Sequence, residues 1–148
     1  MIAVDTNLLV YAHRADSPFN PRAFECLSGL MRGKSPWAIP WPCIHEFFAI
    51  ATHPRIYDPP TPAAKAVEQI EAWRESPNLL LLTETDDYWP VLRSLIESAR
   101  VEGPRIHDAR IAALCLAQGV SELWTADRDF SRFGLFTRNP LVETNSPG

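Results

Sequence analysis

Four carboxylates, Asp5, Glu46, Asp108 and Asp127, stand where a parallel α/β chain would bring them together. Asp5 closes a short apolar run, Ile2-Ala3-Val4, and is followed by Thr6-Asn7. Asp127 lies just past a second run, Leu123-Trp124-Thr125, inside Thr125-Ala126-Asp127-Arg128-Asp129-Phe130. Glu46 and Asp108 are each read in the first turn of a helix, where the helix dipole favours an ionised acid. Unpaired carboxylates crowded together repel, so such a group calls for divalent cations. A hard cation held by oxygen ligands at a sheet edge is suited to cutting phosphodiesters. The expected chemistry is metal-dependent cleavage of RNA.

Asp5 and Asp108 are the expected principal ligands, because Mg²⁺ usually keeps several waters beside one or two carboxylates. Glu46 and Asp127 are expected to act through bound water or a second ion. Asp129 follows Asp127 by two residues, an offset that aims it at the same centre or, round a turn, at solvent or Arg132. Thr6, Asn7 and Thr125 are candidates for hydrogen bonds that hold the acids in place. Water as nucleophile would leave a 5′-phosphate and a 3′-hydroxyl. Arg14, Arg105, Arg110, Arg128 and Arg132 flank the acidic segments and could hold phosphates. His45 and His107 precede site acids, but a hard-cation oxygen centre has little need of imidazole. Of the five tryptophans, Trp73, Trp89 and Trp124 lie on apolar patterns and are expected in the core, leaving Trp41 the most open candidate for base stacking.

The elements that must position these residues alternate along the chain. Strands are expected at Ile2–Asp5, Trp37–Pro40, Leu79–Leu82 and Leu123–Thr125, with a short fifth at Leu135–Thr137. The unbroken leucines of the third strand predict burial on both faces. Helices are expected from Asn20-Pro21, Pro42, Thr61-Pro62, Thr85 or Asp86, and His107, with apolar stripes that include Phe24, Val67 and Trp89. The proline-rich stretch 54–62 reads as an irregular surface loop. This alternation implies α/β architecture: helices on both faces of a parallel sheet of four or five strands. Ligands gather outside the carboxyl ends of such strands, where helices returning antiparallel also begin.

Length and composition set bounds. A chain of 148 residues, 46% apolar and 22% charged, reads as one domain over 1–140 with a frayed tail at 141–148. A net charge of −4 argues against a broadly basic nucleic-acid binder, so RNA contacts must come from local arginines. Cys26, Cys43 and Cys115 are too widely spaced for a disulfide framework or a zinc site and read as buried thiols in a reducing cytosol. No signal peptide is read at the start, and no apolar stretch reaches the ~20 residues of a membrane span. The expected location is cytoplasmic.

Taken together, Ile2-Ala3-Val4-Asp5-Thr6-Asn7, His45-Glu46-Phe47, Ile106-His107-Asp108-Ala109 and Leu123 to Phe130 resemble the PIN-domain nucleases, most closely the VapC toxins of bacterial toxin–antitoxin pairs. The stretch His53 to Pro60 is similar to the mycobacterial branch. The resemblance implies a PIN-like three-layer α/β/α fold, Mg²⁺- or Mn²⁺-dependent endoribonuclease activity, homodimers, and inhibition by a small VapB-type antitoxin. It carries the acidic roles onto Asp5, Glu46, Asp108 and Asp127, with none missing. Two other readings compete: a Mg²⁺-dependent structure-specific DNA nuclease or phosphoesterase, which would need a larger basic surface, and a non-catalytic protein-binding module on the same fold.

Overall fold

The computed structural model describes residues 1–142. Five parallel strands, β1 (Ile2–Val4), β2 (Trp37–Pro40), β3 (Leu79–Leu82), β4 (Glu122–Trp124) and β5 (Thr137–Arg138), lie in the order β3-β2-β1-β4-β5. Six helices connect them: α1 (Thr6–His13), α2 (Asn20–Arg32), α3 (Trp41–Ala51), α4 (Ala63–Arg74), α5 (Tyr88–Ser98) and α6 (Ile106–Ala117). The fold is the three-layer α/β/α arrangement the sequence implies. From β1 the chain adds β2 and β3 on one side, then crosses back to place β4 and β5 on the other. The strand order therefore reverses between β1 and β4, and the crevice at their carboxyl ends is where such a fold binds ligands.

The core is built on α1 and α6. Leu8, Leu9, Val10 and Ala12 on α1 are buried, as are Ile111 to Cys115 on α6. Nothing in the sequence reading marked residues 6–13 as a helix: the unbroken apolar run Leu8-Leu9-Val10 shows no polar stripe, because α1 is covered on most sides. Trp37 is fully buried, and its indole N–H donates to Ser76 Oγ at 3.1 Å. Trp73 packs edge-on against Phe47 with ring centroids 4.8 Å apart.

Several expectations need correction. β3 is a sheet edge, so Leu80 is 50% exposed and the strand is not covered on both faces. Trp89 is 58% exposed, because α5 starts at Tyr88, after Asp87, and turns Leu92 and Leu95 inward instead. Phe24 and Val67 are also exposed, and Trp124 is half-buried. The fifth strand falls at Thr137–Arg138. Two expected caps serve other ends. Asn20 donates its amide to the Tyr11 and Ala12 carbonyls at 2.9 and 3.1 Å, closing α1. The Thr61 hydroxyl meets His13 Nε2 at 3.1 Å and Arg14 Nη1 at 3.2 Å, which pins the proline-rich loop to the end of α1. The tail is anchored at its start, since the Pro140 carbonyl accepts from Arg22 Nε at 2.9 Å. Leu141 N donates to Asn139 Oδ1 at 3.0 Å. The rest of the expected tail, 143–148, lies outside the described residues.

Candidate active site

Asp5 sits where β1 becomes α1. Its backbone N–H extends the ladder to the Trp124 carbonyl at 3.0 Å, and its side chain caps α1 by accepting from Thr6 N at 2.8 Å. The other carboxylate oxygen, Oδ2, accepts the Thr125 hydroxyl at 2.8 Å. Asp5 is only 4% exposed. Both neighbouring threonines reach onward. Thr6 Oγ1 donates to Glu46 Oε2 at 2.7 Å, and Thr125 Oγ1 accepts from Asp127 N at 3.0 Å. A continuous hydrogen-bonded path thus runs from Glu46 through Thr6, Asp5 and Thr125 to Asp127. Asn7 supports the same loop, its Oδ1 accepting from Ala126 N at 3.4 Å.

Glu46 does not lie in a first helical turn. α3 begins at Trp41, which puts Glu46 in the second turn, on the face that meets α1. Asp108 does lie in the first turn of α6. It makes no hydrogen bond to the other acids but is close enough to feel Asp127, Glu46 and Asp129. Asp127 caps the short 3₁₀ turn Arg128–Phe133 by accepting from Asp129 N at 2.9 Å. Asp129 is exposed.

The electrostatics follow from this crowding. Burial, reinforced by the Glu46 charge, pushes Asp5 from the usual 3.8 to about 6, against the hydrogen bonds from Thr125, Thr6 and Cys43 that oppose the rise. Asp108 is also raised, first by burial and then by Asp127, Glu46 and Asp129. Among the described residues none of the four acids has an arginine or lysine partner; Arg110 turns to Glu84 instead, at 3.7 Å.

The arginines divide. Arg14 belongs elsewhere: it follows α1, about 12 Å along an eight-residue helix from Asp5. There it pairs with Asp16 at 2.6 Å and stacks over the Tyr57 ring at 4.2 Å. Arg105 ends the 3₁₀ turn before α6, and Arg128 opens the turn after Asp127; both are exposed, as is Arg132. His45 and His107 are exposed as well, with the His45 ring 6.1 Å from that of half-buried Trp41. The sequence reading treated Cys43 only as a buried thiol, yet its Sγ lies 3.6 Å from Asp5 Oδ1 as a weak donor. Its position three residues before Glu46, on one helical face, was the available signal. Burial holds Cys43 well above its ordinary range and pushes Cys115 to about 12, so both stay thiols.

Carboxylates from four segments lie near enough to repel one another without a cationic partner among the described residues, and oxygen donors of this kind suit a hard cation. Among the described residues no group of three or more His, Cys, Asp and Glu side chains forms a cage that could hold a metal ion. An ion that takes one or two carboxylates and completes its shell with water needs no such cage.

Comparison with known proteins agrees with this geometry. Residues 2–135 match the PIN domain family. Ribonuclease VapC48 of Mycobacterium tuberculosis is 30% identical over 138 residues, spanning 93% of this chain and 95% of that protein. Ribonuclease VapC43 of the same organism is 32% identical over 142 residues, spanning 95% and 96%. The fold is shared with VapBC2 from Rickettsia felis, whose structure was solved bound to a DNA fragment from its promoter. The TM-score is 0.67 at 18% identity, over 94% of this chain and 98% of that one. With its acids gathered at the reversal between β1 and β4, this chain belongs to the PIN domain family and, within it, to the VapC ribonucleases.

Proposed function

We propose that this VapC ribonuclease is a Mg²⁺- or Mn²⁺-dependent endoribonuclease that hydrolyses RNA at the Asp5, Glu46, Asp108 and Asp127 centre. The observation that carries this reading is the set of four carboxylates from four distant segments, without a cationic partner among the described residues. Asp5 and Glu46 are held by Thr6 and Thr125, and the Asp127 backbone is tied to the same Thr125 hydroxyl. Asp5 and Asp108, the two acids raised by burial and crowding, are the principal candidates to hold the ion. Glu46 and Asp127 complete the set, with Asp129 at its exposed margin. When bound, a divalent ion supplies Lewis-acid polarisation of phosphate and a more acidic water.

The chain's own residues fix that centre. Thr6 N and Thr125 Oγ1 hold the two Asp5 oxygens in one orientation, so the carboxylate does not rotate away. The Thr6 hydroxyl donates to one Glu46 oxygen and leaves the other to accept a proton from an attacking water. Asn7 and Thr125 anchor the Asp127 loop through the Ala126 and Asp127 amides. Attack by water leaves a 5′-phosphate and a 3′-hydroxyl. Arg105 and Arg128 are the arginines assigned to RNA phosphates under this reading, supported by their exposure on the segments carrying Asp108 and Asp127.

The same reading assigns a VapB-type antitoxin as partner, homodimer assembly, and action in the bacterial cytoplasm. It is supported by the fold shared with the Rickettsia felis VapBC2 pair. An apolar groove of about 250 Å³ between α1, α2 and α4, lined by Phe24, Leu27, Met31 and Trp73, is the kind of surface a partner protein covers.

The deciding experiment is expression of wild type and Asp5→Asn, followed by sequencing of cellular RNA ends. Wild type should arrest growth and generate new 5′-phosphate ends that disappear with Asp5→Asn, while the variant still folds and still captures its antitoxin. A variant that stays toxic would remove this centre from the mechanism.

A further inference from the structure

We propose that the groove beside Asp127, between the carboxyl ends of β4 and β5, is a subsite for one nucleotide of a single-stranded RNA adjacent to the bond being cut. This rests on the ribonuclease reading above. The groove encloses about 300 Å³ and is continuous with the acidic centre, since Thr125 and Asp127 form part of its wall. It lies at the sheet edge where an open parallel fold receives ligands.

Its lining has an excess of unspent donors. Among the described residues, no ion pair or side-chain hydrogen bond uses the Arg128 guanidinium, the Thr137 hydroxyl or the Asn139 amide nitrogen, and all three residues line this one cavity. Asn139 is held by the chain: its Oδ1 accepts from Leu141 N at 3.0 Å, which leaves the NH₂ group as the free end. A guanidinium, a hydroxyl and an amide NH₂ together offer many donors. Phosphate oxygens, ribose hydroxyls and base carbonyls offer the acceptors. Ala126 and Val142 add small apolar walls against which a base can lie.

The parts divide by chemistry. Arg128, closest in sequence to the acid centre, meets a phosphate and so contributes affinity without sequence preference. Asn139 and Thr137 reach a base edge or a 2′-hydroxyl and contribute selection. Arg128 offsets the Asp127 carboxylate in the lining, so the groove itself carries no excess negative charge on a chain whose net charge is −4. The donor excess favours a base that presents carbonyl oxygens.

The test uses the full chain carrying Asp5→Asn, so that RNA is not consumed. Binding of a fluorescein-labelled single-stranded RNA hexamer of degenerate sequence is followed by anisotropy, alone and with R128Q, T137V or N139D added. N139D keeps the acceptor for Leu141 N. R128Q should weaken binding about fivefold or more for every sequence and lower the salt slope by about one. N139D and T137V should weaken binding selectively, changing which hexamers are retained. Independently of any fold effect, 4-thiouridine RNA photocrosslinked to the Asp5→Asn chain should mark the peptide spanning 126–142. Binding within twofold of the parent for all three variants, crosslinks confined to other surfaces, or no RNA binding at all would each overturn the subsite. Crosslinking in the groove by a wild-type chain that never cuts RNA would sink the ribonuclease reading and leave the groove as an RNA-binding site only, overturning its role beside a cut bond. Cutting without groove contact would sink the subsite and leave the ribonuclease reading standing.

Discussion

The Thr125 hydroxyl donates to Asp5 Oδ2 at 2.8 Å across a separation of 120 residues. Thr125 Oγ1 in turn accepts from the Asp127 backbone N–H at 3.0 Å, so one side chain ties Asp5 to the backbone of Asp127.

Thr125→Val should therefore hurt twice. It leaves a buried carboxylate oxygen and a backbone N–H unsatisfied, at a cost of about 1–3 kcal/mol. Misplacing the acids should lower the cleavage rate about 10–100-fold, the usual effect of losing a group that orients metal ligands. Thr125→Ser should recover most of both, as read by urea denaturation and single-turnover cleavage.

Acid should stabilise the metal-free fold at Asp5. The folded carboxyl titrates near 6 and the unfolded one near 3.8. Between those values the folded state binds more protons, so this group's contribution falls as pH rises through the window. The shift corresponds to about 2–3 kcal/mol. In EDTA, Asp5→Asn should gain on wild type in melting temperature between pH 4 and pH 7; a constant difference would contradict a carboxyl raised by burial.

Divalent ions should also stabilise the fold, at neutral pH where the acids are ionised. Mg²⁺ or Mn²⁺ at about a hundredfold excess over its dissociation constant should stabilise wild type by about 2.7 kcal/mol. A melting series would show this as a rise of several degrees, absent in the Asp5→Asn, Asp108→Asn double variant. The pH below which cleavage fades should move down as ion is added.

Two tryptophans separate core from surface. Trp73 is 3% exposed, and Trp73→Ala should cost about 3–5 kcal/mol. Trp89→Ala should change stability by about 0.5 kcal/mol or less, because its ring stands in solvent. Urea titrations of the two variants would show the contrast.

These comparisons also show what sequence can carry. Asp5 and Asp127 were legible because each follows a short apolar run, and a strand's end fixes which sheet edge its next residue occupies. Asp108 was legible from its helix start. The link from Thr6 to Glu46 was not, since it depends on α1, whose buried run Leu8-Leu9-Val10 lacks the polar stripe that marks a helix. Leu80 was misplaced because an apolar residue reads alike in a central strand and at an edge, and strand order is a tertiary fact; Trp89 was misplaced because the start of α5 sets which of its apolar residues face inward. Arg14 stands near Asp5 in sequence, but a helix intervenes and carries it to the opposite edge, where Asp16 and Tyr57 hold it.

The order of synthesis gives the position of β4 another meaning. Asp5 is synthesised 120 residues before the threonine that grips it, and likewise well before the strand that must slot beside it. Until that late segment docks, the first acid has no partner across the crevice and no fixed orientation. Under the proposed reading, the acidic centre is completed only after that later segment has been made and has docked beside β1.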